Sequence, residues 1–126
     1  MEDTDDLMAP QLDVATESLG NGTRVLALRG ELDVATMPSL DEALAGAVRT
    51  DGTPRLLMDL SEVTFIDSTA LMRLLTALRE LNRRGGRMVL ACSNPTVLRL
   101  FEVTRTDETF EIFPTRDRAL GRLEAA

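Results

Sequence analysis

Leu71, Leu74, Leu75, Leu78 and Leu81 recur at spacings of three and four, which aligns them along one stripe of an α-helix. A stripe that apolar must be covered, so the helix has to lie against a core. Just before it stand Asp67 and Ser68, both good N-cap residues. The apolar pair Phe65-Ile66 in front of them is expected to pin the connecting loop into the core. A serine hydroxyl is thereby held at the mouth of a buried helix, where free backbone N–H groups and the helix dipole favour negative charge. Such a position suits phosphate, either bound or covalently attached.

The rest of the chain decides what this helix covers. Residues 1–10 carry Glu2, Asp3, Asp5 and Asp6 and end at Pro10, the composition of a short disordered tail; the folded domain is expected over residues 11–126. From Leu12 the pattern alternates as in an edge strand. Gly20-Asn21-Gly22 is a hairpin turn signal, and Thr23 to Leu28 is the returning strand, ended by Arg29-Gly30. Gly30-Glu31-Leu32-Asp33 is expected to be a loop. Thr36 and Pro38 open a first helix whose buried face is Leu40, Ala43, Leu44, Ala47 and Val48, with Asp41 and Glu42 in its first turns. Asp51 to Pro54 breaks it. Arg55 to Leu60 is a nearly continuous apolar run, as in a central strand covered on both faces.

The leucine-striped helix runs to about Arg84, where Gly85-Gly86 stops it. A strand over Met88 to Ala91, a helix opened by Ser93-Asn94-Pro95 with Val97, Leu98 and Phe101 inward, a strand over Phe110 to Phe113 and a helix over Thr115 to Leu123 complete the order ββαβαβαβα. Strands alternating with helices after an initial hairpin predict an α/β fold, a mostly parallel or mixed sheet of about five strands under about four helices.

Composition then removes whole classes of function. The chain of 126 residues suffices for one core. It has no His, all 14 basic residues are Arg, and Cys92 is its one cysteine. Ser-His triads, imidazole or thiolate zinc sites, Schiff-base lysines and P-loop lysines are therefore excluded. No metal or cofactor is expected. A net charge of −7 with no basic stripe argues against direct nucleic-acid binding, which rests on phosphate neutralisation. No apolar run approaches the roughly 20 residues that cross a bilayer. The acidic N-terminus lacks the basic and apolar regions of a signal peptide, and a lone cysteine suits a reducing compartment. The expected location is the cytoplasm, without membrane insertion.

Among the remaining polar residues, Asp33 follows the second strand, Ser68 the third and Ser93-Asn94 the fourth, at the strand ends where open α/β sheets gather ligands. Neighbouring strands would bring Asp33 and Ser68 to one edge. Taken alone, Asp33 is a solvated turn residue, Asp67 a helix cap and Ser68 a first-turn surface residue. Asp59 invites comparison with response-regulator receivers, but the chain lacks their acidic pair after the first strand and their lysine. Cys92 is a small buried residue. Arg79, Arg83, Arg84 and Arg87 form a solvated helix end balanced by Glu80.

Several of these motifs occur together in one family. Gly30-Glu31-Leu32-Asp33, the strand Leu56 to Leu60, Phe65-Ile66-Asp67-Ser68-Thr69-Ala70-Leu71, and Asn94-Pro95 through Leu100-Phe101 resemble a STAS domain, more narrowly a bacterial anti-sigma factor antagonist. The resemblance runs from about Leu12 to Leu123. It implies a STAS fold and a switch rather than an enzyme. Unphosphorylated, such a protein binds an anti-sigma factor that is a serine kinase and frees a sigma factor; phosphorylation of the serine after the aspartate, Ser68 here with Thr69 as a second candidate, turns it off. A PP2C-type phosphatase resets it. The resemblance places Asp33, Asp67, Ser68, Thr69 and Ala70 in the partner surface. Where the family often has glycine, this chain has Ala70, which suits a helix better by roughly 0.5–1 kcal/mol. The alternative is a STAS scaffold or accessory subunit, in a stressosome-like assembly or beside a lipid transporter, with Ser68 never phosphorylated.

Overall fold

The computed structural model describes residues 12–49 and 53–125. The acidic segment 1–10 and the first half of the predicted break at Asp51 to Pro54 lie outside them. One sheet organises the chain, with its five strands in sequence order: β1 (Leu12–Ser18), β2 (Thr23–Leu32), β3 (Arg55–Ile66), β4 (Arg87–Ala91) and β5 (Glu111–Phe113). β1 and β2 form the expected antiparallel hairpin, and β2 through β5 are parallel. The helices are α1 (Met37–Val48), α2 (Ser68–Arg83), α3 (Pro95–Val103) and α4 (Arg116–Glu124).

Period-two alternation sorts the strand side chains between two layers. Leu26, Leu28, Leu56, Met58, Leu60, Met88 and Leu90 face the larger core together with residues of α1, α2 and α3. Val25, Leu57, Val89 and Ala91 face the smaller one, closed by Ala119 and Leu123 of α4. All five leucines of the stripe are buried, along with Ala70 and Ala77. On α1 the buried residues are Met37, Leu40, Leu44 and Ala47, while Ala43 and Val48 are half-buried.

Two strands run further than the sequence predicts, and both extensions shape the site. β2 continues through Gly30 to Leu32 where a loop was expected, because Leu32 is fully buried and pairs with Ile66. Gly30, at φ 123, lies where the pairing with β3 shifts register, a conformation glycine adopts without a Cβ clash. β3 continues from Leu60 to Ile66, held by buried Val63 and Ile66. The carboxylate of Asp59 accepts from the backbone N–H and hydroxyl of Ser61, within the stretch Asp59 to Glu62 of β3, which runs one residue longer than the Ala27 to Arg29 stretch it pairs with.

Three smaller expectations are also corrected. Phe65 does not pin the loop into the core; it is exposed, and Ile66 alone turns inward. No acid lies in the first turn of α1, and Asp41, one turn further on, pairs with Arg73 at 2.8 Å. Arg87 belongs to β4 rather than to the helix end and pairs with Glu111.

Candidate functional site

The C-terminal ends of β2 and β3 lie side by side, so the loops that leave them meet. β2 runs into Asp33, which caps a 3-10 turn over Val34–Thr36. Asp33 Oδ1 accepts the N–H groups of Ala35 at 3.0 Å and Thr36 at 3.2 Å, and the Asp33 N–H donates to Thr36 Oγ1 at 3.1 Å. This reciprocal box satisfies donors that a helix start leaves free. Thr36 Oγ1 in turn donates to Glu31 O at 2.9 Å, tying the turn back to its own strand.

β3 runs into Asp67, the N-cap of α2. One oxygen, Oδ1, accepts the Ala70 N–H at 2.9 Å; the other, Oδ2, accepts the Val34 N–H at 3.2 Å. The Asp67 N–H donates to Leu32 O at 2.9 Å. A single carboxylate thus caps its own helix and holds the neighbouring loop against it. The juxtaposition of Asp33 and Ser68 expected from neighbouring strands is present, and Asp67 is the residue that makes it.

Ser68, the first residue of α2, is exposed, and its hydroxyl has no hydrogen-bond partner among the described residues. Its backbone N–H and that of Thr69 are equally without partners there, as expected in the first turn of a helix. Thr69 is half-buried, and Ala70 is fully buried and faces the larger core. The resemblance places Ala70 in the partner surface; its side chain is buried. Asn94, the N-cap of α3, donates from Nδ2 to Val63 O at 3.3 Å and braces the end of β3 from its other side.

The surroundings of Ser68 are acidic. From residue 30 to 48 and from 56 to 72 the chain carries seven acids and no basic residue. Asp41, Asp59 and Glu62 meet arginines; Glu31, Asp33 and Asp67 meet none among the described residues. The site offers no general base poised against Ser68, and among the described residues no cluster of three or more His, Cys, Asp or Glu is placed to hold a metal ion. Cys92 is buried beyond the Asn94 cap. Burial pushes its thiol up, the Asn94 backbone N–H partly opposes that, and the Asp59 charge adds to it. It is a neutral packing group near pH 7.

Sequence reasoning passes over Val34 and Met72 here and turns Phe65 inward; they are three of the five exposed large apolar side chains among the described residues. Met72 carries a signal in the sequence, since it falls off the leucine stripe while following Ser68 by one helical turn.

The STAS domain model matches residues 15–119, most of the chain and all the strand ends just described. The chain belongs to the STAS domain family. Similar proteins include the anti-sigma-F factor antagonist RsfB of Mycobacterium tuberculosis, 32% identical over 114 residues covering 90% of this chain and 92% of RsfB. The anti-sigma-B factor antagonist of Staphylococcus aureus is 37% identical over 75 residues, 60% of this chain and 68% of its own. Among solved structures, an anti-sigma factor antagonist from Mycobacterium paratuberculosis superposes with a TM-score of 0.81 at 30% identity, over 90% of this chain and 95% of that one. In this STAS domain no helix among the described residues is long and apolar enough to cross a membrane.

Proposed function

We propose that this protein is an anti-sigma factor antagonist whose affinity for its anti-sigma factor is set by phosphorylation of Ser68. The observation that carries this reading is the state of Ser68: exposed, unbonded, and first in a helix whose cap carboxylate is already engaged on both oxygens. Relatives named as anti-sigma factor antagonists support it. Thr69 is the lesser acceptor because it is half-buried.

In this scheme the anti-sigma factor is a serine kinase. It transfers the γ-phosphoryl group of ATP to Ser68 Oγ, releasing ADP and the hydroxyl proton, and a PP2C-type phosphatase returns the serine with water, releasing inorganic phosphate. Chemistry resides in those two enzymes; the STAS domain is their substrate, in the cytoplasm where sigma factors act. The phosphate adds about −1.5 to −2 charges. The free N–H groups of Ser68 and Thr69 and the dipole of α2 accommodate it, so the fold stands. A partner that must approach this patch meets the new charge added to Glu31, Asp33 and Asp67, and binding weakens. Unphosphorylated protein holds the anti-sigma factor and frees the sigma factor.

The test is phosphopeptide mapping after incubation with a candidate anti-sigma kinase and ATP. The reading expects one phosphate, on Ser68, with none incorporated into Ser68→Ala. Incorporation elsewhere, with Ser68 untouched by any kinase that binds the chain, would remove the switch and leave a scaffold.

A further inference from the structure

We infer that Val34, Phe65 and Met72 form the apolar anchor by which the unphosphorylated protein docks, and that the surface they fit is an apolar socket rimmed by arginine or lysine on the anti-sigma factor. The inference rests on the partner reading above and adds to it the contact that supplies affinity. The three side chains are 69%, 42% and 54% exposed. They reach the site from three elements: Val34 from the 3-10 turn clasped by Asp67, Phe65 from the end of β3, and Met72 from one helical turn beyond Ser68. Each stands within five residues of Asp67 or is hydrogen-bonded to it through the backbone.

Exposed apolar residues scattered singly need no explanation, but several at one place mark an interaction site. The polar groups between them cannot supply much affinity. Asp33 accepts two backbone N–H groups of its own turn, and Asp67 is engaged on both oxygens. Large side chains such as Phe65, buried at the centre of a contact, carry most of the binding energy in typical interfaces. Ser68 follows Asp67 directly and precedes Met72 by one helical turn, so a partner covering the anchor would meet a phosphate there.

Charge selects the occupant. Glu31, Asp33 and Asp67 are acids of the same strand ends that pair with no arginine among the described residues. A second copy of this chain would bring the same three acids and a net charge of −7 against them. Glu2, Asp3, Asp5 and Asp6 in the N-terminal sequence carry charge of the same sign, which does not complement that of these acids. A partner with basic residues around an apolar pocket gains on both counts.

The experiment is calorimetric titration of a purified anti-sigma serine kinase that binds the Ser68→Ala protein, with further substitutions made in that background. Phe65→Ser should weaken binding about 30-fold, and Met72→Gln and Val34→Ser each about fivefold. Amide spectra should be unchanged away from the substituted positions. Met72→Gln, on the helix surface, answers for the anchor should Phe65→Ser disturb the fold. Added salt should slow association. Parental affinity in Met72→Gln and in a folded Phe65→Ser would overturn the anchor while leaving the Ser68 switch intact. Loss in Phe65→Ser with Ser68→Glu binding as tightly as Ser68→Ala would retain the anchor and remove the switch. Self-association of the unmodified protein that Phe65→Ser abolishes would overturn the choice of occupant.

Discussion

The two ends of the parallel sheet solve the same problem with opposite charges. At the C-terminal end, helix starts leave N–H groups free, and carboxylates take them up: Asp33 over the 3-10 turn, Asp67 over α2 and the Val34 loop. At the N-terminal end, helix and turn carbonyls are free, and arginines take them up. Arg55 donates to Asn21 O at 2.9 Å and Leu123 O at 3.4 Å, and Arg84 to Val48 O. Arg87 and Arg122 there share Glu111. Both ends are tied internally, but they differ in what is left over: the unbonded hydroxyl of Thr23 at the N-terminal end is buried, whereas that of Ser68 at the C-terminal end is exposed, with Val34, Phe65 and Met72 exposed nearby in the chain or bonded to its cap. Function settles where the polar groups are satisfied and something else is left over.

The comparison can be broken from the structural end first. Gly86 precedes β4 with its Cα so close to Pro54 that an added Cβ would fall 2.2 Å from Pro54 O. Neither backbone can retreat, because the Arg87 N–H bonds to that same carbonyl at 2.9 Å. Gly86→Ala should cost about 1–3 kcal/mol by overpacking, read as a lowered denaturant midpoint. Stability equal to the parent would mean that this end is looser than the account holds.

At the other end, Asp67→Ala removes the cap of α2 and the clasp on Val34 together. A loss of about 1–2 kcal/mol is expected, with hydrogen exchange of the Val34 and Ala70 amides accelerated. Ser68→Ala beside it removes a hydroxyl without a partner among the described residues, and its stability should stay within about 0.5 kcal/mol of the parent. Equal losses in the two variants would contradict the division between structural and free groups.

The smallest effect concerns Glu111 and sharpens the contrast by its pH dependence. Burial by itself would raise its carboxyl, but hydrogen bonds from Arg87 and Arg122 and their charges outweigh that and hold it below the ordinary 4.5. A carboxyl depressed in the folded state stabilises above its unfolded value and loses that contribution as pH falls through its folded one. Glu111→Gln should therefore be slightly less stable than the parent at neutral pH, with the gap closing below pH 4.5. A gap that widened with acid would reverse the sign assigned to this network.

How much of this the sequence shows depends on the length scale of the cause. Helix stripes and caps are local, so the leucine face of α2, the Asp67 cap and the Asn94 cap are all apparent in the residue order. Period-two alternation likewise separates Leu56 and Met58 from Leu57. The extensions of β2 and β3 are not apparent, because they depend on pairing between Leu32 and Ile66, distant in sequence and offset by register shifts. The same offset sends Phe65 outward beside an inward Ile66, a choice that neither residue makes by its own chemistry. Gly85-Gly86 looks like a helix stop, and Gly85 at φ 78 is one, whereas the demand on Gly86 comes from Pro54, more than thirty residues away. The clasp of Asp67 on Val34 belongs to the same class: the residue type is visible, the second partner is not.

The central claim is that one phosphate on Ser68 controls partner affinity without changing the fold. Its most direct test is calorimetry of the purified protein, unmodified and stoichiometrically phosphorylated on Ser68, against the anti-sigma factor that phosphorylates it. The account predicts binding at least about tenfold weaker for the phosphoprotein, roughly 1.4 kcal/mol, with superimposable amide spectra away from the first turn of α2. Equal affinities for the two forms would contradict it.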